Sequence, residues 1–150
     1  MTNLMGPRRD DSGTAIIEFV WLAIILLVPL LYVVLAAFDT QRAAYAASAA
    51  ARSAGRAFVT APDQASGYVR AREAVRLAYA DQRLDSPPAV TISCRPDPRD
   101  CLTPGSVVRA QVHSSVALPL VPAVFGSQTP AIAVDADHEA PYGTFREARP

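Results

Sequence analysis

The sequence predicts an α+β protein: a long N-terminal transmembrane helix continuing into an extracytoplasmic helix, a second amphipathic helix, then a small antiparallel β-sheet. Three observations predict it. An apolar block, residues 14–38, holds a single ionisable residue, Glu18. Ala-rich and amphipathic stretches of helical period follow it. From residue 86 onward the period falls to two, and ten of the 13 prolines lie there, which argues against further long helices.

The chain has 150 residues, with 14 basic and 14 acidic side chains and a net charge of zero. That length allows one folded domain at most. No strong field points toward nucleic acid. Every basic residue is Arg. The absence of Lys goes with abundant Ala and Pro, as a GC-rich genome produces, rather than with phosphate recognition.

As a helix, residues 14–38 rise about 37 Å, enough to cross a hydrocarbon core of about 30 Å with some tilt. The run is longer than the apolar region of a cleaved signal peptide. Ala44-Tyr45-Ala46 fits a small-x-small cleavage pattern but lies too far past the block. Arg8 and Arg9 precede the span, and Arg42 and Arg52 follow it, so the positive-inside count is nearly balanced. The downstream cysteines and strands favour a cytoplasmic N-terminus. Pro29, in mid-span, removes one helical hydrogen bond and predicts a bend.

Glu18 is the anomaly. A charge at mid-bilayer costs about 2.5–3.5 kcal/mol on insertion scales, and less near the interface. It reads either as a tolerated interfacial carboxylate or as a charge awaiting a partner. Its context is a short leader with Arg, then Gly13, four uncharged residues, Glu18, and the apolar run. In this the sequence resembles the type IV prepilin class. Gly13-Thr14-Ala15-Ile16-Ile17-Glu18-Phe19 is most similar to the TadE-like minor pilins and pseudopilins of tight-adherence (Flp) pilus systems, in which a Glu-Phe or Glu-Tyr pair typically opens the apolar run.

The resemblance implies a leader over residues 1–13, a membrane helix over 14–38 and an extracytoplasmic pilin-like domain over 39–150. It implies cleavage between Gly13 and Thr14 by a membrane-embedded prepilin peptidase. Gly has no Cβ to obstruct the approach of the backbone. The cut frees a cationic α-amino group on Thr14, and Glu18 of a neighbouring subunit would neutralise it, an attraction stronger in low dielectric than in water. The partners implied are the peptidase, other pilins and pseudopilins, an inner-membrane assembly platform and the lipid bilayer. The leader departs from better-known members in that Asp10 and Asp11 cancel Arg8 and Arg9, and Thr14 replaces the Phe of major type IV pilins. A major Flp-type pilin would be much shorter, which favours a minor role.

Past the membrane, residues 39–58 continue the helix. Arg42, Arg52 and Arg56 share one side with Tyr45, and Ala44, Ala47, Ala51, Ala54 and Phe58 form the other. The small-residue side predicts close packing. The Arg side reads as a solvated face, or as a contact with subunits or lipid headgroups. Residues 60–67, with Pro62 and Gly67, predict a break. A second helix then runs to about Leu84, burying Tyr68, Ala71, Val75, Ala78 and Tyr79 and exposing Arg70, Arg72, Arg76 and Arg83.

Three segments alternate: Val90, Ile92 and Cys94; Val108, Ala110, Val112, Val116 and Leu118; Ile132, Val134 and Ala136. Residues 106–118 are the clearest strand. The apolar stretch 119–130 reads as a loop tucked against the sheet, or as a contact surface. Cys94 and Cys101 predict a disulfide if this part lies outside the cytoplasm. Closing so short a loop stabilises by roughly 2.5 kcal/mol in the chain-entropy account. A zinc site would need two further ligands, and none has the spacing.

Asp135, Asp137 and Glu139 share a strand face, with His113 and His138 the nearby imidazoles, so a divalent cation is geometrically allowed there. A solvated strand face is the simpler reading. No phosphate loop, zinc signature or nucleophile context occurs. The sequence therefore predicts no enzyme, cofactor or metal. A membrane-anchored enzyme has little in its favour. A signal-anchored extracytoplasmic binding module unrelated to pili fits the topology but leaves Gly13 and Glu18 unexplained.

Overall fold

The computed structural model describes residues 12–84, 88–117 and 131–149. Most of the leader, Leu118 and the stretch 119–130 lie outside the described residues. The order is α1 (Ser12–Val59), α2 (Gln64–Asp81), β1 (Ala89–Arg95), β2 (Val107–Ala117) and β3 (Ala131–Pro141). The chain divides into two units, Met1–Ala36 and Ala37–Pro150. The expected α+β layout is present: a long apolar N-terminal helix, a second helix and a three-stranded antiparallel sheet.

The first unit is the apolar part of α1. All Val, Ile, Leu, Phe and Trp side chains from Ile16 to Phe38 are exposed. A helix that is apolar on every side finds no aqueous partner for its surface and suits lipid instead. Pro29 sits inside α1, which continues through it.

In the second unit α1 is built from Ala, the strongest helix former. Ala43, Ala46, Ala47, Ala50, Ala51, Ala54 and Phe58 are buried, at the three- and four-residue spacing of one helical face. Ala44 lies at the margin of that face and is exposed, contrary to expectation. Tyr45 is exposed with Arg42, Arg52 and Arg56, as the wheel predicts. At Gly55 the helix meets the sheet: a Cβ there would stand 3.3 Å from Ala140 Cβ and 3.4 Å from the His138 ring.

The break between the helices is shorter than predicted. It spans residues 60–63, and Gly67 lies within α2. Gly67 is there for contact rather than for a turn, because a Cβ would fall 3.0 Å from the buried ring of Phe58. Asp63 caps the helix: its Oδ1 accepts the Ser66 amide at 2.8 Å and its Oδ2 the Ser66 hydroxyl at 2.8 Å. Those bonds, the amide first, hold its carboxyl below the usual value of 3.8.

α2 buries Gly67, Ala71, Val75 and Tyr79. Tyr68, expected in the core, stays partly exposed and lays its ring edge-on to Phe58 at 5.1 Å. Ala78 is half-buried. The helix ends at Asp81 rather than near Leu84. Arg83 turns left-handed at φ 56°, its amide donating to Ala80 O at 2.9 Å and that of Leu84 to Tyr79 O at 3.0 Å. This is a Schellman closure with Arg where Gly is usual.

The strand order is β1-β2-β3. Val90 pairs with Val112 and Cys94 with Val108; across β2, Val108 pairs with Ala140 and Val112 with Ala136. Val108, Ala110, Val112, Val134 and Ala140 are buried, so the expected parity holds on β2 and on β3 from Val134 onward, whereas Ile132, expected on the same face, is exposed. Cys94 and Cys101 form a disulfide with Cα atoms 5.3 Å apart. Cys101, Leu102 and Ser106 are buried, and the single hydroxyl proton of Ser106 has two acceptors in reach, the carbonyls of Cys101 (2.6 Å) and Thr103 (2.7 Å).

Residues 142–149 carry a contact that periodicity does not announce. Tyr142 is buried; its amide donates to Ser106 O at 2.8 Å and its hydroxyl to Glu147 O at 2.7 Å. Arg146 donates to Val59 O and Arg149 to Ala61 O, both at 2.8 Å. One guanidinium group thus satisfies the last carbonyl of α1, where the helix dipole also favours positive charge, and the other a carbonyl of the break that follows.

Two substitutions test this packing by thermal melts of the full chain. Gly67→Val should destabilise by roughly 1–3 kcal/mol, since the methyls meet the Phe58 ring. Arg83→Gly should raise the melting temperature, by roughly 1 kcal/mol of relieved left-handed strain.

Candidate functional site

Two places were singled out by sequence: the head of the apolar helix and the acidic face of the last strand. They lie in different units, and each is described by itself.

Helix α1 begins at Ser12, so Gly13 and Thr14 stand in its first turn. Glu18 follows Thr14 by four residues, about 6 Å along the axis. Its carboxylate is exposed on a helix flanked by exposed Ile17, Phe19, Trp21 and Leu22. Long side chains on a helix lean toward its N-terminus, so Glu18 leans back toward the turn of Thr14. This helix is long and apolar enough to cross a membrane and is compatible with a single-pass anchor.

The acidic residues of β3 do share the outer face of the sheet, but each meets a base. Asp135 Oδ1 lies 3.0 Å from His113 Nδ1, the residue directly opposite. Asp137 Oδ2 lies 3.1 Å from Arg109 Nη2, one step along the diagonal. Glu139 Oε1 accepts from Arg95 Nη2 at 2.7 Å; Arg95 belongs to β1, so it reaches across β2. All six side chains are substantially exposed. Such pairs contribute about 0–1 kcal/mol each.

This ladder spreads the carboxylates along the strand instead of turning them onto one point. Among the described residues no group of three His, Cys, Asp or Glu side chains could hold a metal ion. His138 has the opposite parity and is half-buried on the inner face, beside Gly55. The pairings themselves were missed from sequence. Opposite charges on neighbouring strands signal them only once the register is known.

A titration tests the ladder. Millimolar calcium or zinc should leave the melting temperature of the full chain unchanged, and Asp137→Ala should cost less than about 1 kcal/mol. A clear metal-induced stabilisation would mean that the carboxylates converge on an ion. No protein-family model, curated protein or solved structure matches this chain.

Proposed function

We propose that the chain is a minor pilin or pseudopilin of the TadE-like kind, acting in assembly of a tight-adherence type pilus. One observation carries the reading: Gly13 is followed at the fifth residue by Glu18, at the head of an apolar helix with no other charge before Asp39. An anchor alone needs neither residue. Cleavage between Gly13 and Thr14 by a prepilin peptidase puts a cationic amine on Thr14, and Glu18 of an adjoining subunit neutralises it inside the bilayer. Phe19 lies beside Glu18 on the surface that the adjoining helix meets. Pro29 bends the span.

In this reading the N-terminus is cytoplasmic and the second unit is extracytoplasmic. The Cys94–Cys101 disulfide supports that placement, since such bonds persist in oxidising compartments. The partners are the peptidase, the other pilins and pseudopilins, a membrane assembly platform and the lipid itself. The fold supports a structural role: one helix runs from the apolar segment into the α+β unit.

The N-terminus of the mature protein, read by mass spectrometry in cells that possess a prepilin peptidase, tests this directly. Thr14 is expected; an intact Met1 start would sink the proposal in favour of an anchored binding module. Replacing Gly13 by a bulky residue should block the cut, with Gly13→Ala milder. Glu18→Ala should be cleaved normally yet fail to enter pili. If it assembles as well as the parent, the charge-pairing account is wrong.

A further inference from the structure

We propose that Phe145 is a docking knob for a second copy of this chain, seated in the cleft between α2 and β1 of that copy. The proposal concerns the unit Ala37–Pro150 alone and stands whether or not the leader is cut.

Phe145 is fully exposed, an unusual state for the largest apolar side chain of its segment. It does not dangle. On one side Tyr142 is buried and its amide is bonded to Ser106 O. On the other, Arg146 is bonded to Val59 O and lies 5.2 Å from the Tyr142 ring centroid, and the Arg149 amide donates to Leu102 O at 3.0 Å. An aromatic ring held out from a fixed backbone loses little entropy on binding, which is the character of an interface hot spot.

The same unit offers a receptor of matching kind. A cleft of about 340 Å³ lies between α2 and β1, with Pro88, Ala89 and Val90 on one wall and Arg72, Glu73 and Arg76 on the other. A cavity of about 150 Å³ already holds a benzene ring, so a phenyl group has room. Arg76 is engaged with Glu73 at 3.1 Å, while Arg72 makes no hydrogen bond or ion pair among the described residues. Arg72 can lie over an incoming ring. Two residues from Phe145, the Glu147 carboxylate likewise lacks an ion pair among the described residues, and it complements Arg72. Because Phe145 is fully exposed, it does not fill its own cleft. Knob and cleft are different surfaces, so the contact is heterologous and adds copies in series.

The test uses the full chain in detergent micelles with the photoreactive aromatic benzoylphenylalanine in place of Phe145. Irradiation should yield a dimer whose cross-link maps to residues 72–76 or 88–90 of the other copy. In separate chains, Phe145→Ser and Arg72→Glu should each weaken self-association by about tenfold or more in the ultracentrifuge, with unchanged melting temperature. Cross-links that map elsewhere, the absence of a cross-linked dimer, or a Phe145→Ser chain that associates like the parent would overturn the proposal. So would capture in cells of a different protein by the residue at 145 with no dimer formed. None of these outcomes bears on where the leader is cut.

Discussion

Everything in the second unit depends on how closely α1 approaches the sheet. The helix offers Ala at nearly every inward position, and the sheet answers with Ala110 and Ala140. At Gly55 even a methyl group would press on the neighbouring strand. Small side chains bury little apolar area each, so such a seam is held by contact density rather than by large anchors. The bulk of the core comes from elsewhere: Phe58 and Tyr79 from the helices, Leu102 and Tyr142 from the loops flanking the sheet. Fully burying Phe58, Val75 and Leu102 contributes roughly 1.5–3 kcal/mol each. The seam also explains Gly67, which lets α2 lie against Phe58 at the same close range.

The apolar half of α1 obeys the opposite rule. Its large apolar side chains are exposed on all sides, with no packing partner among the described residues of its unit. One helix therefore carries two chemistries in sequence, an exposed apolar surface compatible with a membrane anchor and then a face packed in protein, with Asp39 and Arg42, paired at 2.8 Å, just beyond the changeover. That pair is exposed and contributes little to stability.

Periodicity made most of this legible. The apolar block, the Ala face, the three alternating segments and the cysteine pair can all be placed from one-dimensional pattern, because a helix or strand repeats its environment at a fixed interval. What pattern could not place were contacts specific to one position. Gly67 reads as a break by type, yet its role is set by a ring nine positions away. Arg83 occupies a left-handed site usually held by Gly, and nothing in its chemistry announces that. Each carboxylate of β3 reads as a free ligand until the register sets a base within reach of it. At the head of α1 the relevant spacing is covalent, so the candidate residues were visible at once. The chemistry proposed for them needs an enzyme and a neighbour outside the chain, which no pattern within it can display.

The bonds from Arg146 to the end of α1 and from Arg149 to the break just after it span 87 and 88 residues. A chain made from its N-terminus presents α1 long before those arginines. Thr60 and Ala61 already bond the carbonyls of Arg56, Ala57 and Phe58 locally, but those of Val59 and Ala61 must meanwhile rely on water, and the Ala seam has no sheet to close upon. Closure of the unit is thus a late event, timed by the emergence of β3 and the segment behind it rather than by helix formation. During that interval the Ala face stays open, and the unit carries exposed apolar surface until its last strand is in place.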